Sequence, residues 1–328
     1  MQGGLQAEGT PIVEYEQSPA RVICRVCPHG CDLGEGEHGK CLVRCNDHGS
    51  LTNPFEGRCS LLSVEPVEKR PFFHYKPGSK YLAVGFYGCP LFCSHCQNFK
   101  VSQSVDGDSI YKTPSDLVNL AKKKETAGIA FTFNEPAVYY EYIIEVGELG
   151  ADVIIKTSGF VNLPIVDKLV ETVSAWNVDI KGDEFEYSRT CKGSLKPVLN
   201  TIERLAGRTH LEISYLISPR MVADMAFHAR IRDWLTSLDA EIPVHLLHFY
   251  PFHKVSGPGY QPEALEPVIG LFKEKMPYTY VSNAFGSQIV GYRNTVCGEC
   301  GRVLIERLRG VRVVTTKCCG KEVRIVGV

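Results

Sequence analysis

The sequence predicts an α/β protein, a partial (β/α)6-type TIM barrel with a Cys-rich N-terminal region and a zinc-ribbon-like C-terminal appendage. Three observations lead there. Between about residues 78 and 288, short apolar runs alternate with amphipathic ones, the rhythm of β-α units around a parallel sheet. The 14 cysteines are clustered rather than scattered. The 328 residues, 44% of them hydrophobic, suffice for one large core with appendages. The composition shifts divide the chain at 1–75, 76–290 and 291–328.

The first region holds CRVCPHGC and GEGEHGKCLVRC and reads as short metal-organised loops with a few strands. Its spacing, Cys24-x2-Cys27-x3-Cys31-x9-Cys41-x3-Cys45, offers five thiols where a tetrahedral site needs four. Cys24, Cys27, Cys31 and Cys41 form the best quartet. Zinc and an auxiliary 4Fe–4S cluster both suit it, because thiolate ligands alone do not separate them. Strand-like runs then follow at 81–88, 128–133, 152–159, 176–182, 209–218, 243–250 and 278–284, with helix-like runs at 114–124, 163–173, 195–207 and 262–275. Ligands of such a barrel sit at the C-terminal strand ends. The tail reads Cys297-x2-Cys300-x17-Cys318-Cys319, with two short strands expected around an Arg-Gly turn. It resembles a zinc ribbon, except that its last two cysteines are adjacent, which strains joint chelation of one ion.

Charge is balanced at −1, so bulk binding to nucleic acid or a membrane surface is not expected. The start, MQGGLQAEGT, lacks a basic-then-apolar leader, and no run approaches 18 apolar residues. A reducing cytoplasmic setting is expected, where clustered cysteines serve as metal or iron–sulfur ligands.

The sharpest motif is Gly88-Cys89-Pro90-Leu91-Phe92-Cys93-Ser94-His95-Cys96, directly after the first predicted barrel strand. The spacing C-x3-C-x2-C lets three thiolates hold three irons of a 4Fe–4S cluster and leaves one iron open. The plainer reading is a closed site that borrows a distant cysteine, Cys59 or Cys191. Both are otherwise expected as buried small hydrophobes. Asn134-Glu135-Pro136 ends the second predicted strand and also fits a helix cap. Lys156-Thr157-Ser158-Gly159-Phe160 ends the third, where turn chemistry competes with ligand contact. Period-2 alternation puts Asn177, Asp179 and Lys181 on one face of the fourth. Burying three polar groups there is costly unless they meet a ligand or one another.

The cysteine motif resembles the signature of the radical S-adenosylmethionine (SAM) superfamily. The resemblance implies that Cys89, Cys93 and Cys96 bind a 4Fe–4S cluster whose open iron chelates SAM. It places His95 near the adenine and Asn134 and Glu135 near the SAM amino group. Thr157 and Ser158 are implied at ribose or carboxylate oxygens. Asp179, with Lys181 beside it, is implied near the SAM carboxylate or a cation. VEPVEKRPFFHYKPGS (64–79) leading into the motif resembles the AmmeMemoRadiSam branch, which is similar to pyruvate formate-lyase activating enzymes. Both flanking Cys blocks fit that branch.

The implied activity is reductive cleavage of SAM to methionine and a 5′-deoxyadenosyl radical, which abstracts hydrogen from a protein, peptide or small molecule. Glycyl-radical activation is one form of it. A low-potential donor of the flavodoxin or ferredoxin type and anaerobic conditions go with it. The chain departs from its relatives after the fifth predicted strand, where PGxND is replaced by Pro219-Arg220-Met221-Val222-Ala223-Asp224. His245, His248, Tyr250 and His253 are candidate substrate contacts. The competing class is a zinc-ribbon binding protein whose tail, with eight Lys+Arg against three Asp+Glu, contacts nucleic acid or an acidic partner.

Overall fold

The apolar runs between residues 80 and 281 are rich in β-branched and aromatic residues and too short for helices, so they pair as strands. The computed structural model describes residues 15–18, 21–284 and 288–328. The opening MQGGLQAEGT lies outside the described residues.

One eight-stranded sheet organises the molecule. Its strands are β1 (Leu61–Pro66), β2 (Lys80–Gly85), β3 (Ile129–Phe131), β4 (Val153–Thr157), β5 (Val173–Ile180), β6 (His210–Ile217), β7 (Val244–His248) and β8 (Thr279–Val281). They lie in sequence order across the sheet. Strands β2 to β8 are parallel, whereas β1 pairs antiparallel with β2. All seven parallel strands fall on the runs that the sequence marks. Strand β1 was expected to belong with the N-terminal block, and its half-exposed LLSVEP at a sheet edge gives no alternation to read. The sheet therefore reaches back before residue 76.

The helices of eight or more residues are α1 (Pro114–Lys123), α2 (Tyr140–Glu148), α3 (Leu163–Val170), α4 (Leu195–Leu205), α5 (Met225–Leu238) and α6 (Glu266–Lys273). Helix α1 starts where Thr113 and Asp116 cap each other reciprocally and Pro114 needs no amide partner. It buries Leu117, Val118 and Ala121. Helices α2 and α5 escape the sequence reading. The aromatic start of α2 reads equally as strand, and α5 buries His228 and Arg232 among its apolar residues, which blurs the helical period. Asp224, in the segment that departs from relatives, caps α5 by accepting from the Phe227 amide at 3.0 Å. The main core lies between sheet and helices, around Ile155, Trp176, Val178 and Tyr215.

Both ends are tied to the barrel. The N-terminal region comprises antiparallel strands Arg21–Cys24 and Asp32–Gly34 and a hairpin of Cys45–Asp47 with Ser50–Thr52. Buried Arg44 clasps it to the barrel, forking onto Glu141 of α2 and donating to the Val138 carbonyl at 2.8 Å. At the other end, strands Val303–Glu306 and Arg312–Val313 flank the expected turn. The ribbon closes on residues 73–76. Val326 exchanges backbone hydrogen bonds with His74 and Lys76 (2.8 and 2.7 Å), and Arg307 donates to the Phe73 carbonyl at 2.6 Å. Fully buried Glu212 of β6 receives the Phe73 and His74 amides at 2.9 and 2.8 Å. Among the described residues, no helix is long and apolar enough to cross a membrane.

Candidate active site

The loop after β2 lines a cavity of about 330 Å³ at the C-terminal strand ends. Cys89, Cys93 and Cys96 reach its wall, as do His248 at the end of β7 and Asn283 beyond β8. Residues from both halves of the sheet meet here, so the sheet is curled into a partial barrel. His95, Asn134, Glu135, Thr157, Ser158, Asp179 and Lys181 line this same cavity. The strand-end logic of the sequence thus brings every candidate cofactor residue to one place.

Local chemistry then distinguishes their roles. Asn134 accepts the Phe86 amide at 3.1 Å and donates to the Tyr87 and Gly88 carbonyls at 2.9 and 3.2 Å, which fixes the entry to the cysteine loop. The cap at this strand end is Glu135, whose carboxylate accepts the Ala137 amide at 3.1 Å. That carboxylate also receives Thr157 Oγ1 at 2.6 Å and the Ser158 amide and hydroxyl at 2.8 and 2.5 Å. Glu135, Thr157 and Ser158 therefore satisfy one another while forming the wall.

The polar face of β5 is realised as an ionic cluster. Asp179 accepts from Lys156 and from Lys181, the latter at 2.9 Å, and Lys156 also donates to Asn177 at 2.6 Å. The alternative of a buried Asp–Lys pair is thus realised with two lysines, on the cavity wall. Burial opposes the charge on Asp179, but the lysines outweigh it and bring its carboxyl down to about 2. Burial pushes Lys156 down to about 8 against the pull of Asp179. His95 is brought to about 4 by burial and by the charge of Lys181, so its imidazole is neutral at pH 7. Its ring meets Phe249 edge-on at 5.3 Å.

Three residues here escaped the sequence reading or were read differently. Arg70 lines the cavity and lies over the Phe133 ring at 4.3 Å. Lys156 was visible only as the start of a turn motif. Cys191, expected as a small hydrophobe, is fully buried but stands behind Cys93, and the ligating atoms of Cys93, His95 and Cys191 lie within 4.8 Å of one another. Its thiol donates to Cys93 and holds that thiol below its ordinary value. Cys191 does not line the cavity, whereas Cys89, Cys93 and Cys96 do. Three soft sulfur donors facing an open space bordered by polar groups fit a cluster with one exposed iron. Cys59 is a buried core residue, as expected.

The other candidates divide. His248 and Tyr250 line the cavity. His248 donates Nε2–H to the Tyr260 carbonyl at 2.7 Å. His245 instead sits fully buried between Glu212 and Ser282, at 2.6 and 2.7 Å, and His253 stacks on Phe99 at 4.0 Å. Neither reaches the cavity wall. At the C-terminus, the ligating atoms of Cys297, Cys300, Cys318 and Cys319 converge within 4.8 Å. The adjacent pair can face one point because Cys319 adopts φ 52°, the left-handed conformation.

A family model falls on the segment that carries this geometry. Residues 84–218 match the family model described as the Radical SAM superfamily. The chain is 33% identical to an uncharacterized protein of Methanocaldococcus jannaschii, over 93% of this chain and 96% of that one. Among solved structures it is similar to a domain of a pyruvate-formate lyase-activating enzyme from Bacteroides vulgatus (19% identity, TM-score 0.40, covering 47% of this chain and 98% of that one). It is also similar to a radical SAM methyltransferase from Sphaerobacter thermophilus (16% identity, TM-score 0.49, covering 66% and 70%). The segment that matches the Radical SAM superfamily model runs from the end of β2 through β6 and contains the cysteine loop and the polar strand ends.

Proposed function

We propose that the chain is a radical SAM enzyme that uses the cavity at the C-terminal strand ends. The observation that carries this reading is the convergence of Cys89, Cys93 and Cys96 with polar groups from three separate strand ends on one cavity. When bound there, a 4Fe–4S cluster and SAM supply reductive cleavage to methionine and a 5′-deoxyadenosyl radical, which takes hydrogen from a substrate.

The protein's part is binding and shielding. Two lysines against one aspartate leave a positive surplus beside the cysteines, which suits a ligand carboxylate. Neutral His95 offers a flat ring without a competing charge. Glu135 acts mainly by holding Thr157 and Ser158 in place. The finer reading is hydrogen abstraction from a protein, peptide or small molecule, with glycyl-radical activation as one form. Membership of the AmmeMemoRadiSam branch and a flavodoxin- or ferredoxin-type donor belong to the same reading.

The test is anaerobic reconstitution with iron and sulfide, addition of SAM and dithionite, and quantification of 5′-deoxyadenosine by mass spectrometry. The native chain produces it and Cys93→Ala does not. Equal product from both would overturn the assignment.

A further inference from the structure

The N-terminal cysteines form a built site that the central cavity does not use. Cys24, Cys27 and Cys41 are buried, and Cys31 is half-buried beside them. None of the four is in a disulfide. The Cys24 amide donates to the Cys31 carbonyl at 2.8 Å, which holds the two ends of this segment together. The fifth thiol, Cys45, is engaged elsewhere, 3.2 Å from Thr52 Oγ1 in the hairpin. That resolves which four of the five belong together.

Two of the sulfurs also accept backbone amides. The Lys40 amide donates to Cys31 at 3.4 Å and the Arg44 amide to Cys41 at 3.5 Å. A neutral thiol is a weak acceptor, so amides aimed at Cys31 and Cys41 suit thiolates. Thiolates gathered in so largely buried a place require a compensating cation. The backbone bends to make this arrangement, since Leu42, directly after Cys41, adopts φ 72°.

Spacing separates the two metal chemistries. Tetrahedral zinc with Zn–S of about 2.3 Å draws its sulfurs to roughly 3.8 Å from one another. The C-terminal quartet meets that demand within 4.8 Å. Among the described residues, no three N-terminal sulfurs gather within 4.8 Å, nor do those of Cys89, Cys93 and Cys96. Ligands of separate irons stand wider apart than ligands of one ion.

We propose that Cys24, Cys27, Cys31 and Cys41 hold a second iron–sulfur cluster, one that braces the loop carrying Cys89 from behind. Direct contacts between the two segments give the bracing. A Cβ on Gly88 would come 2.3 Å from the Cys41 carbonyl oxygen, so the two backbones touch. His29 donates Nε2–H to the Pro90 carbonyl at 2.8 Å. Asn162 bonds the Arg25 and Val26 carbonyls at 2.7 and 3.1 Å, fixing the same module to the loop after β4. The existence of this cluster does not rest on the proposed chemistry of the central cavity.

The test uses the full chain with Cys89, Cys93 and Cys96 all changed to Ala, purified and reconstituted anaerobically with iron and sulfide. It is expected to retain about four irons per chain, with visible charge-transfer absorption. Adding Cys31→Ala removes that iron, whereas adding Cys59→Ala leaves it, and circular dichroism checks that both variants remain folded. Hydrogen exchange at the Gly88 amide rises when Cys31 is lost. Retention of zinc without iron, a disulfide among the four, or no retained metal overturns the proposal. If the native chain made no 5′-deoxyadenosine, retained iron in the triple variant would still stand as a separate result.

Discussion

Glu135 shows how far a single side chain could be read. Its place at a strand end beside a Pro marked it as a site residue, and it does line the cavity. Its capping bond to Ala137 is local, but its other donors lie 22 and 23 residues away, on the next strand end, and no local pattern announces them. Glu135→Gln puts an amide where four donors already converge and is expected to cost about 1–3 kcal/mol, read by urea denaturation. A residue serving only as a SAM contact would leave the urea midpoint unmoved. Lys156 carries a pH signature. Burial holds its folded-state value at about 8, below that of an exposed lysine. The unfolded chain thus keeps this proton to higher pH than the folded one. Lys156 costs stability below about pH 8, and the cost fades as pH rises towards the unfolded value of ~10.4. Carbon-13 NMR of labelled lysine in Lys156→Arg and native chains should assign a titration near pH 8 to this residue.

At the scale of elements, the parallel strands were the legible part. Buried on both faces, they read as short apolar runs between turn signals, and all seven were marked. Strand β5 carried more, since its alternation correctly put Asn177 and Asp179 on one face. Only the fold shows that Asn177 is a junction, accepting from Lys156 and Ser214 at 2.6 and 2.7 Å and donating to the Pro71 carbonyl at 2.7 Å. Asn177→Leu keeps much of the volume and removes all three bonds. It is expected to destabilise by on the order of 3 kcal/mol in thermal or urea unfolding. An unchanged midpoint would mean that water replaces the lost partners. Helices α2 and α5 were hidden because their buried faces include Tyr140, Tyr142, His228 and Arg232, which period-based reading scores as strand or surface.

For the whole molecule, the ribbon is the part where the sequence marked both the four ligands and the strain between the last two. Adjacent Cys318 and Cys319 looked unsuited to one ion, yet a left-handed Cys319 brings all four ligands together. The ribbon also seals residues 73–76 through Arg307 and Val326. Zinc is the expected occupant, and a chelator should lower Tm by roughly 2 °C for each kcal/mol lost. Re-addition of zinc should restore Tm in the native chain and fail in Cys300→Ala. Equal Tm with and without the chelator would show that the ribbon folds without metal.

The contact at Gly88 has a consequence for inheritance. The three blocks of the sequence look like modules that a lineage could lose, swap or append. Yet the Cys41 carbonyl occupies the space where any other residue at position 88 would place its Cβ, and Gly88 has φ 80°. The cysteine loop is shaped around its N-terminal neighbour, so this barrel is not portable. A chimera that keeps residues 76–290 and replaces the first 75 inherits a glycine fitted to a partner that is no longer there.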